Sequence, residues 1–432
     1  MFLRSRRPGA LASFLLLTAG RPAFAEVEAE ASPASVAARI ASCLEADPRL
    51  LAGKEEIHQA EAEEVTASLV PNPELQVASG LVPFPWSPFD DADHPGGPPQ
   101  LEAIVSMPLD WLVFGKRAAA RESAGIGVDV AKAGFDDLRR QRLLAALEAH
   151  YDLAEAAGVR ELADEAHREA ERLYSITAAR VGAGGAEAVE LDRVRVSIAE
   201  RRRELALARA AETGARARYE AIVGRGCEEP GSLEGPAPEP VSEHAALELA
   251  EKSRPDLVGL RLHVDQSGAE LRKERADAFP ELSVEAGYTR QFQRKAMGAP
   301  DAHSWGVGLT VGLPIFDRNQ GGLAKARSVR RQAEHELEAS RREARAEVTE
   351  AVRNYEASFE IATTHDEEAL RAATRAKERI EEAYALGGRS LLEVLDAQES
   401  WREARRNHLS SRAELWRSLS RLQAAVGVQV LP

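Results

Sequence analysis

Apolar and polar residues alternate with a period of two in four segments of the chain, a pattern typical of strands with two different faces. The segments form two pairs, at residues 73–84 with 101–109 and at residues 280–292 with 304–314. Each pair begins with nearly the same phrase, NPELQVASG at 72–80 and FPELSVEAG at 279–287. The repetition predicts two copies of one structural unit, each opening with a strand pair.

Long proline-free regions follow both strand pairs, and they are rich in Ala, Glu, Arg and Leu. These residues favour helices, so each region predicts a very long helical segment. In the second region, small and apolar residues recur at alternating spacings of three and four, the seam of a coiled coil. The seam residues are Ala344, Val348, Ala351, Tyr355, Phe359 and Ala362.

Glycines interrupt each helical region once. They are Gly182, Gly184 and Gly185 in the first region, and Gly387 and Gly388 in the second. Glycine costs about 1 kcal/mol in a helix interior and favours a turn. Residues 116–224 and 321–426 therefore predict two helical hairpins with the glycines at their tips, and arms of more than sixty residues would extend about 95 Å.

The strands could lie between lipid and a watery lumen. They are about nine to eleven residues long, and one side is apolar while the other is small or polar. Aromatic residues near the strand ends favour this interpretation; they are Phe84, Trp86, Phe89, Tyr288, Phe292 and Trp305. A soluble, half-buried hairpin is the alternative. Because four strands cannot close a barrel and open edges cannot face lipid, the membrane hypothesis requires several copies of the chain.

Residues 1–25 predict a secretory signal peptide, with arginines before an apolar run at 10–17 and a small-residue cleavage site at 23–25. Its removal takes away four arginines and no acids, so the formal net charge changes from −14 to −18. This acidity argues against a nucleic-acid partner. Two cysteines, Cys43 and Cys227, can form one bridge or none, so disulfides are not expected to stabilise an exported chain of this length. Lipidation of Cys43 is not expected, because no apolar run precedes it.

The segment at 227–244 is rich in Pro, Gly and Glu. This composition predicts an irregular belt around the helices rather than a boundary between independent domains. Residues 26–226 and 245–432 are therefore interpreted as two repeats within one fold.

The sequence indicates neither an enzyme nor a cofactor. Its ten histidines are scattered, no Cys/His spacing matches a metal site, and no Gly-rich loop leads from a strand into a helix. One weak metal-binding hypothesis concerns the two predicted outer loops, for which a hydrated acidic loop is the alternative. Its candidate ligands are Asp90, Asp91, Asp93 and His94 in the first loop, and Asp301 and His303 in the second.

The duplicated plan of a strand pair followed by a helical hairpin resembles the TolC-like outer-membrane efflux protein family, over about residues 36–426. YALGGRSLLEVLDAQESW at 384–401 resembles the family's second hairpin tip, and LPIFDRNQGGLAKAR at 313–327 resembles the exit from its last strand. FGKRAAAR at 114–121 resembles the corresponding exit in the heavy-metal, cobalt-zinc-cadmium type branch. The resemblance implies an α+β fold and a homotrimer. Four strands per chain would make a twelve-stranded barrel above a long periplasmic tube of helices.

The same resemblance implies a duct in the outer-membrane lipid that works with an inner-membrane RND transporter and a periplasmic adaptor. Divalent heavy-metal cations are the cargo that it suggests, with drugs or secreted polypeptides as the alternative. An alternative of another class is a periplasmic adaptor or coiled-coil scaffold, which also uses long Ala-rich hairpins but gives no reason for two copies of a strand pair.

By resemblance, Tyr384 and Arg389 are latch residues that hold neighbouring helices together when the tube is closed. Glu393 and Asp396, three residues apart on one helical face, would point into the pore and form acidic rings that attract cations. The first tip aligns Glu190 with Glu393 and Arg193 with Asp396. The alternative for all these charges is a solvated helix face.

Overall fold

A computed structural model describes residues 33–80, 99–227, 229, 231, 233, 235–294 and 298–427 of the chain. The predicted signal peptide at 1–25 lies outside the described residues. So do the end of the first predicted strand at 81–84 and the aromatic residues Phe84, Trp86 and Phe89.

Four strands form one antiparallel sheet in the order β1-β2-β3-β4. They are β1 at Glu74–Gly80, β2 at Gln100–Pro108, β3 at Glu281–Gln291 and β4 at Ala302–Gly312. The two copies of the strand pair therefore lie side by side, with β2 bonded to β3 across the repeat. Strands β1 and β4 are the two edges, and among the described residues their outer backbone groups have no ladder partner.

The two faces of the sheet differ in chemistry, because successive side chains of a strand point to opposite sides. One face is mostly apolar and aromatic, with Arg290 and His303 paired at its end away from the helices, and on it Trp305 lies opposite Tyr288, with ring centroids 4.9 Å apart. The other face is small and polar, and the strand residues on it include no basic side chain. Its acidic residues are Glu74, Glu102, Glu281 and Glu285.

Each strand pair leads into a helical hairpin. The first hairpin follows the short helix α3 (Asp110–Val113) and consists of α4 (Lys116–Gly182) and α5 (Ala188–Val223). The second consists of α8 (Gln320–Glu360), α9 (Asp366–Ala385) and α10 (Leu391–Val426). A five-residue π-helical segment, Ile361–His365, joins α8 to α9, and the sequence analysis did not predict it.

Four further helices, which the sequence pattern did not predict, precede the strand pairs. They are α1 (Pro33–Leu44) and α2 (Pro48–Ser68) in the first repeat, and α6 (Glu243–Ser253) and α7 (Pro255–Asp277) in the second. Proline occupies the first turn of both α2 and α7. The carboxylate of Asp47 also accepts a hydrogen bond from the backbone N–H of Arg49. An N-cap residue followed by proline is the sequence signal that marks such a start.

The largest core lies midway along the hairpins, where α1, α4, α5, α8 and α10 meet. The irregular segment between α5 and α6, here called the belt, crosses this core and is held by side chains that bond its carbonyl groups. Arg412 and Trp416 donate to the carbonyl of Leu233, and the hydroxyl of Tyr355 donates to that of Pro238. Burial raises the pKa of Tyr355 to about 12, so this hydroxyl keeps its proton.

A disulfide joins Cys43, in α1, to Cys227 at the start of the belt, with Cα atoms 6.1 Å apart. The two cysteines are 184 residues apart in sequence. The sequence left this pairing open because no pattern in it brings α1 to the end of α5. The bridge fastens the first described helix to the belt.

Candidate functional site at the helical tips

The two hairpin tips have the same backbone construction. Gly184 and Gly387 adopt left-handed conformations with φ of 72° and 82°, which favour glycine because a Cβ atom is strained there. The next glycine in each tip donates to a carbonyl five residues earlier, from Gly185 to Arg180 and from Gly388 to Ala383, both at 2.8 Å. These are the bonds of a Schellman motif, which ends a helix cleanly. Gly182 is the last residue of α4.

Tyr384 joins the two hairpins just above the second tip. Its side chain is 1% exposed, and its hydroxyl lies 3.0 Å from Oγ1 of Thr177 on α4 and 3.3 Å from a carboxylate oxygen of Glu190 on α5. The predicted latch residue thus contacts both arms of the other hairpin. A hydrogen-bonded hydroxyl in a buried site costs free energy when its partners are lost.

Arg180 covers the ring of Tyr384, and the sequence analysis missed this residue. Its guanidinium carbon lies 4.2 Å from the ring centroid, and its nitrogen atoms donate to the carbonyls of Tyr384 and Gly185. Arg180 is the only basic residue in the last turn of α4. A cation at this position also interacts favourably with the helix dipole, so its location near the tip glycines was the available signal.

Within this chain Arg389 pairs with Glu393 of its own hairpin, whereas the latch hypothesis has it hold neighbouring helices together. Its guanidinium donates to the carboxylate of Glu393 at 2.7 Å, one turn further along α10. Glu393 also accepts from the backbone N–H and the hydroxyl of Ser390, while the Ser390 hydroxyl accepts from the N–H of Glu393. This is a capping box at the start of α10. The N–H of Ser390, with the guanidinium of Arg389 and the Ser390 hydroxyl, lowers the pKa of Glu393.

The remaining predicted pore residues differ in exposure. Asp396 and Arg193 are exposed, whereas Glu190 is half-buried beside Tyr384. Within the described part of this chain, no ion pair joins Arg193 to Asp396. The carboxylate of Asp396, unlike that of Glu393, therefore takes no part in capping α10.

A buried ion pair lies about two helical turns above Tyr384. The ammonium of Lys377, on α9, donates to the carboxylate of Glu169, on α4, and both side chains are about nine-tenths buried. The same ammonium lies 3.7 Å from the ring centroid of Trp401. The pair is a second connection between the two hairpins, and the sequence analysis missed it because Lys and Glu are abundant on every helix of this chain.

The outer-loop metal hypothesis falls largely outside the described residues, since Asp90, Asp91, Asp93 and His94 are among those left out. Asp301 and His303 are described, and both are bonded to strand β3, to Arg290 and Tyr288 respectively. Nowhere in the described ranges do three or more His, Cys, Asp or Glu side chains gather in a way that could hold a metal ion. In those same ranges no helix is both long and apolar enough to cross a membrane.

A family model described as "Outer membrane efflux protein" matches residues 40–225 and 246–428, almost the whole of both repeats. The chain belongs to this family. It is 25% identical to the cobalt-zinc-cadmium resistance protein CzcC of Cupriavidus metallidurans over 401 residues, which are 92% of this chain and 91% of that protein. It is 26% identical to protein CyaE of Bordetella pertussis over 75% of this chain and 70% of that protein.

Solved channel structures have the same fold. The crystal structure of CusC covers 91% of this chain and 92% of its own, with a TM-score of 0.73 at 18% identity. This outer membrane efflux protein therefore has the α+β fold that the resemblance implied, with long helical hairpins and four strands per chain. It is a channel protein of the Gram-negative outer membrane that extends into the periplasm, and it is not an enzyme.

Proposed function

We propose that this efflux protein is the outer-membrane duct of a tripartite RND-type system and that it passively conducts divalent heavy-metal cations from the periplasm to the exterior. In this proposal three copies pair β4 of one chain with β1 of the next, which closes a twelve-stranded barrel. Pairing of this kind satisfies the backbone groups that both edges leave open. The apolar face of the sheet then meets lipid and the acidic face lines the lumen.

The observation that carries the metal cargo is the likeness to a cobalt-zinc-cadmium resistance protein over nine-tenths of both chains. The chemistry of the sheet agrees with it, since the described strand residues of the polar face include four glutamates and no basic side chain. Threefold repetition would turn each of these glutamates, and Asp396 at the tip, into a ring of negative charge. Such rings attract cations in channels.

The gate is proposed at the periplasmic tips, where Tyr384 holds α9 against α4 and α5. A periplasmic adaptor would engage the tips and an inner-membrane RND transporter would supply the cargo. Opening then requires that the second hairpin separates from Thr177, Arg180 and Glu190, which breaks two hydrogen bonds of the buried Tyr384 hydroxyl and one to the Tyr384 carbonyl.

The cargo can be tested by co-expression of this chain with an inner-membrane RND transporter and a periplasmic adaptor, in a host that lacks outer-membrane ducts of its own. We expect tolerance of cobalt, zinc and cadmium salts to rise and tolerance of drugs to stay unchanged. An increase for drugs alone would favour the alternative cargo. No increase for any compound, with trimers present in the outer membrane, would contradict the tripartite proposal. The family membership already decides against the adaptor or scaffold alternative.

A further inference from the structure

The chain crosses between its helices and its sheet four times, and all four crossings lie at one level. The backbone N–H of Leu109, after β2, donates to the carbonyl of Leu282 in β3 at 2.7 Å. Arg117, at the start of α4, donates to the carbonyl of Ser68, the last residue of α2, also at 2.7 Å. Asn319, just before α8, donates to the carbonyl of Glu274 in α7 at 2.9 Å. These bonds fix the crossings side by side.

Large apolar side chains are exposed at these crossings, a surface here called the collar. It consists of Leu69, Leu112, Val113, Leu313, Ile315 and Phe316. Phe316 is 90% exposed and Leu313 is 71% exposed. Phe279, at the third crossing, between α7 and β3, stacks on Phe114 with ring centroids 5.1 Å apart and is itself half exposed. Contiguous exposed apolar surface of this kind indicates a binding site or a membrane contact.

The collar continues the apolar face of the sheet. Leu313 directly follows β4 and has the same two-residue spacing as Trp305, Val307, Leu309 and Val311 on that face. On the helical side it is bordered by charged residues of α4 and α8. The collar therefore lies at the boundary between an apolar surface and a charged one.

Two arginines in the collar have no carboxylate partner within the residues that the structure describes. The guanidinium of Arg117 lies 5.5 Å from the ring centroid of Trp111, and that of Arg318 contacts only the carbonyl of Ile315, at 3.5 Å. The neighbouring Lys116 differs, since its ammonium pairs with Asp110 at 2.9 Å. Guanidinium groups beside apolar and aromatic side chains match the phosphate of a phospholipid above its acyl chains.

We infer that the collar lies in the periplasmic leaflet of the outer membrane, with its apolar side chains among the acyl chains and with Arg117 and Arg318 on phospholipid phosphates. The inference rests on the proposed duct and adds what fixes its depth in the bilayer. The end of the apolar face that is farther from the helices carries the paired residues Arg290 and His303, and the collar supplies the boundary at the helical end. A charged lower edge with phosphate-binding arginines opposes movement of the sheet along the membrane normal.

Site-directed nitroxide labelling of the full chain, reconstituted as trimers in vesicles of phosphatidylethanolamine and phosphatidylglycerol, tests the depth. The variants Phe316→Cys, Leu309→Cys and Glu338→Cys place the label in the collar, on the apolar face of the sheet and on the exposed side of α8. The native cysteines form a disulfide and do not react. Glu338 is eighteen residues along α8 from its first residue, roughly 27 Å away along the helix.

We expect the label at 316 to collide more often with oxygen than the label at 338 does, and less often with a water-soluble nickel chelate. Both collision rates at 316 should lie between those at 338 and at 309. Equal behaviour at 316 and 338 would place the collar in water. A label at 316 shielded from both reagents would mean that a neighbouring copy covers the collar. Either result overturns the inference, whereas a lipid-exposed label at 309 still supports the barrel. Only water exposure at 309 would contradict the duct itself.

The arginines are tested by the anionic phospholipid that stays bound after detergent extraction. We expect Arg117→Gln with Arg318→Gln to weaken that binding, by about fivefold per arginine. The matched control is Arg379→Gln, an exposed arginine on α9, which should leave the bound lipid unchanged. Equal retention in the double variant, the control and the parent would remove the arginines from the lipid contact.

Discussion

The hydroxyl of Tyr384 lies 3.0 Å from Oγ1 of Thr177, and this contact joins the two hairpins of one chain at the point proposed as the gate. A second bond from the same hydroxyl reaches Glu190 on the other arm of the first hairpin. A single oxygen atom thus connects three helices. Loss of this atom should loosen the tip without emptying the site, because the ring stays in place.

Tyr384→Phe should raise the mean single-channel conductance in planar bilayers. Each lost hydrogen bond contributes about 1 kcal/mol to the closed arrangement, and 1.4 kcal/mol changes an equilibrium tenfold. The control is Tyr355→Phe, which removes a buried hydroxyl bonded to the belt, far from the tip. Unchanged conductance in Tyr384→Phe would remove this residue from the latch.

Arg180→Gln should raise the conductance more than Arg389→Gln does. Arg180 stacks on Tyr384 and bonds its carbonyl, whereas Arg389, in the tip just before α10, forms an exposed ion pair with Glu393 in the first turn of that helix. Exposed pairs of this kind contribute about 0–1 kcal/mol. The opposite order in bilayer recordings would mean that Arg389 is the stronger latch residue, through a contact with a neighbouring chain.

Asp396→Asn and Glu393→Gln should both weaken block of the channel by multivalent cations, but only the second should weaken the start of α10. Loss of a capping residue costs about 1 kcal/mol, and Asp396 has no part in the capping box. Block by a trivalent cation in bilayers and hydrogen exchange at the N-terminus of α10 separate the two effects. Equal block in both variants and the parent would mean that the acidic rings lie elsewhere.

In the Asp396→Asn variant, in which Glu393 is the remaining acidic residue of this pair, cation block should persist at acidic pH. The pKa of Glu393 is lowered by its bonds to Ser390 and Arg389, so the carboxylate remains ionised below the usual value of about 4.3. In the Asp396→Asn variant we therefore expect block to decline only as the pH falls through the lowered value. Loss of block already above pH 5 would show that another group carries it.

Lys377→Met should destabilise the helices near the tips, because it leaves the buried Glu169 carboxylate with only the exposed guanidinium of Arg172, 3.7 Å away, as an ion partner. Breaking a buried pair in this way costs about 3–5 kcal/mol, whereas replacing both partners is often neutral. The double variant Lys377→Met with Glu169→Leu should therefore recover most of the loss in resistance to heat and protease. Arg371→Met, which breaks an exposed pair with Glu367, is the control and should change little.

Cys43→Ser and Cys227→Ser should each lower the thermal stability of the helical part, and their combination should do no more than either alone. Cross-linking two residues this far apart in sequence stabilises a fold by about 5 kcal/mol in the chain-entropy model. Thermal unfolding followed by circular dichroism, with and without reductant, measures the loss. A double variant markedly less stable than both single variants would mean that the sulfur atoms act separately.

The sequence predicted the elements that depend on local pattern. Alternation identified the four strands, and left-handed Gly184 and Gly387 stand where the glycine clusters predicted turns. Helices α1, α2, α6 and α7 were missed, although Asp47 with Pro48 carried a usable capping signal. The contacts of the tip depend on which helices pack together. Tyr384 was singled out by family resemblance, and its role in a latch stays a prediction, but Arg180 and the buried Lys377 look like any other charge on a polar helix.

The π-helical segment Ile361–His365 keeps the second hairpin in phase with the first. The buried residues Val348, Tyr355 and Ala362 follow one another at heptad intervals, and so do the buried residues Lys377 and Tyr384. Lys377 follows Ala362 at an interval of fifteen residues, one residue longer than two heptads. A π turn absorbs such an insertion, which would otherwise rotate the following helix by about 100°. Tyr384 therefore faces the first hairpin because the helix corrects its register about twenty residues earlier.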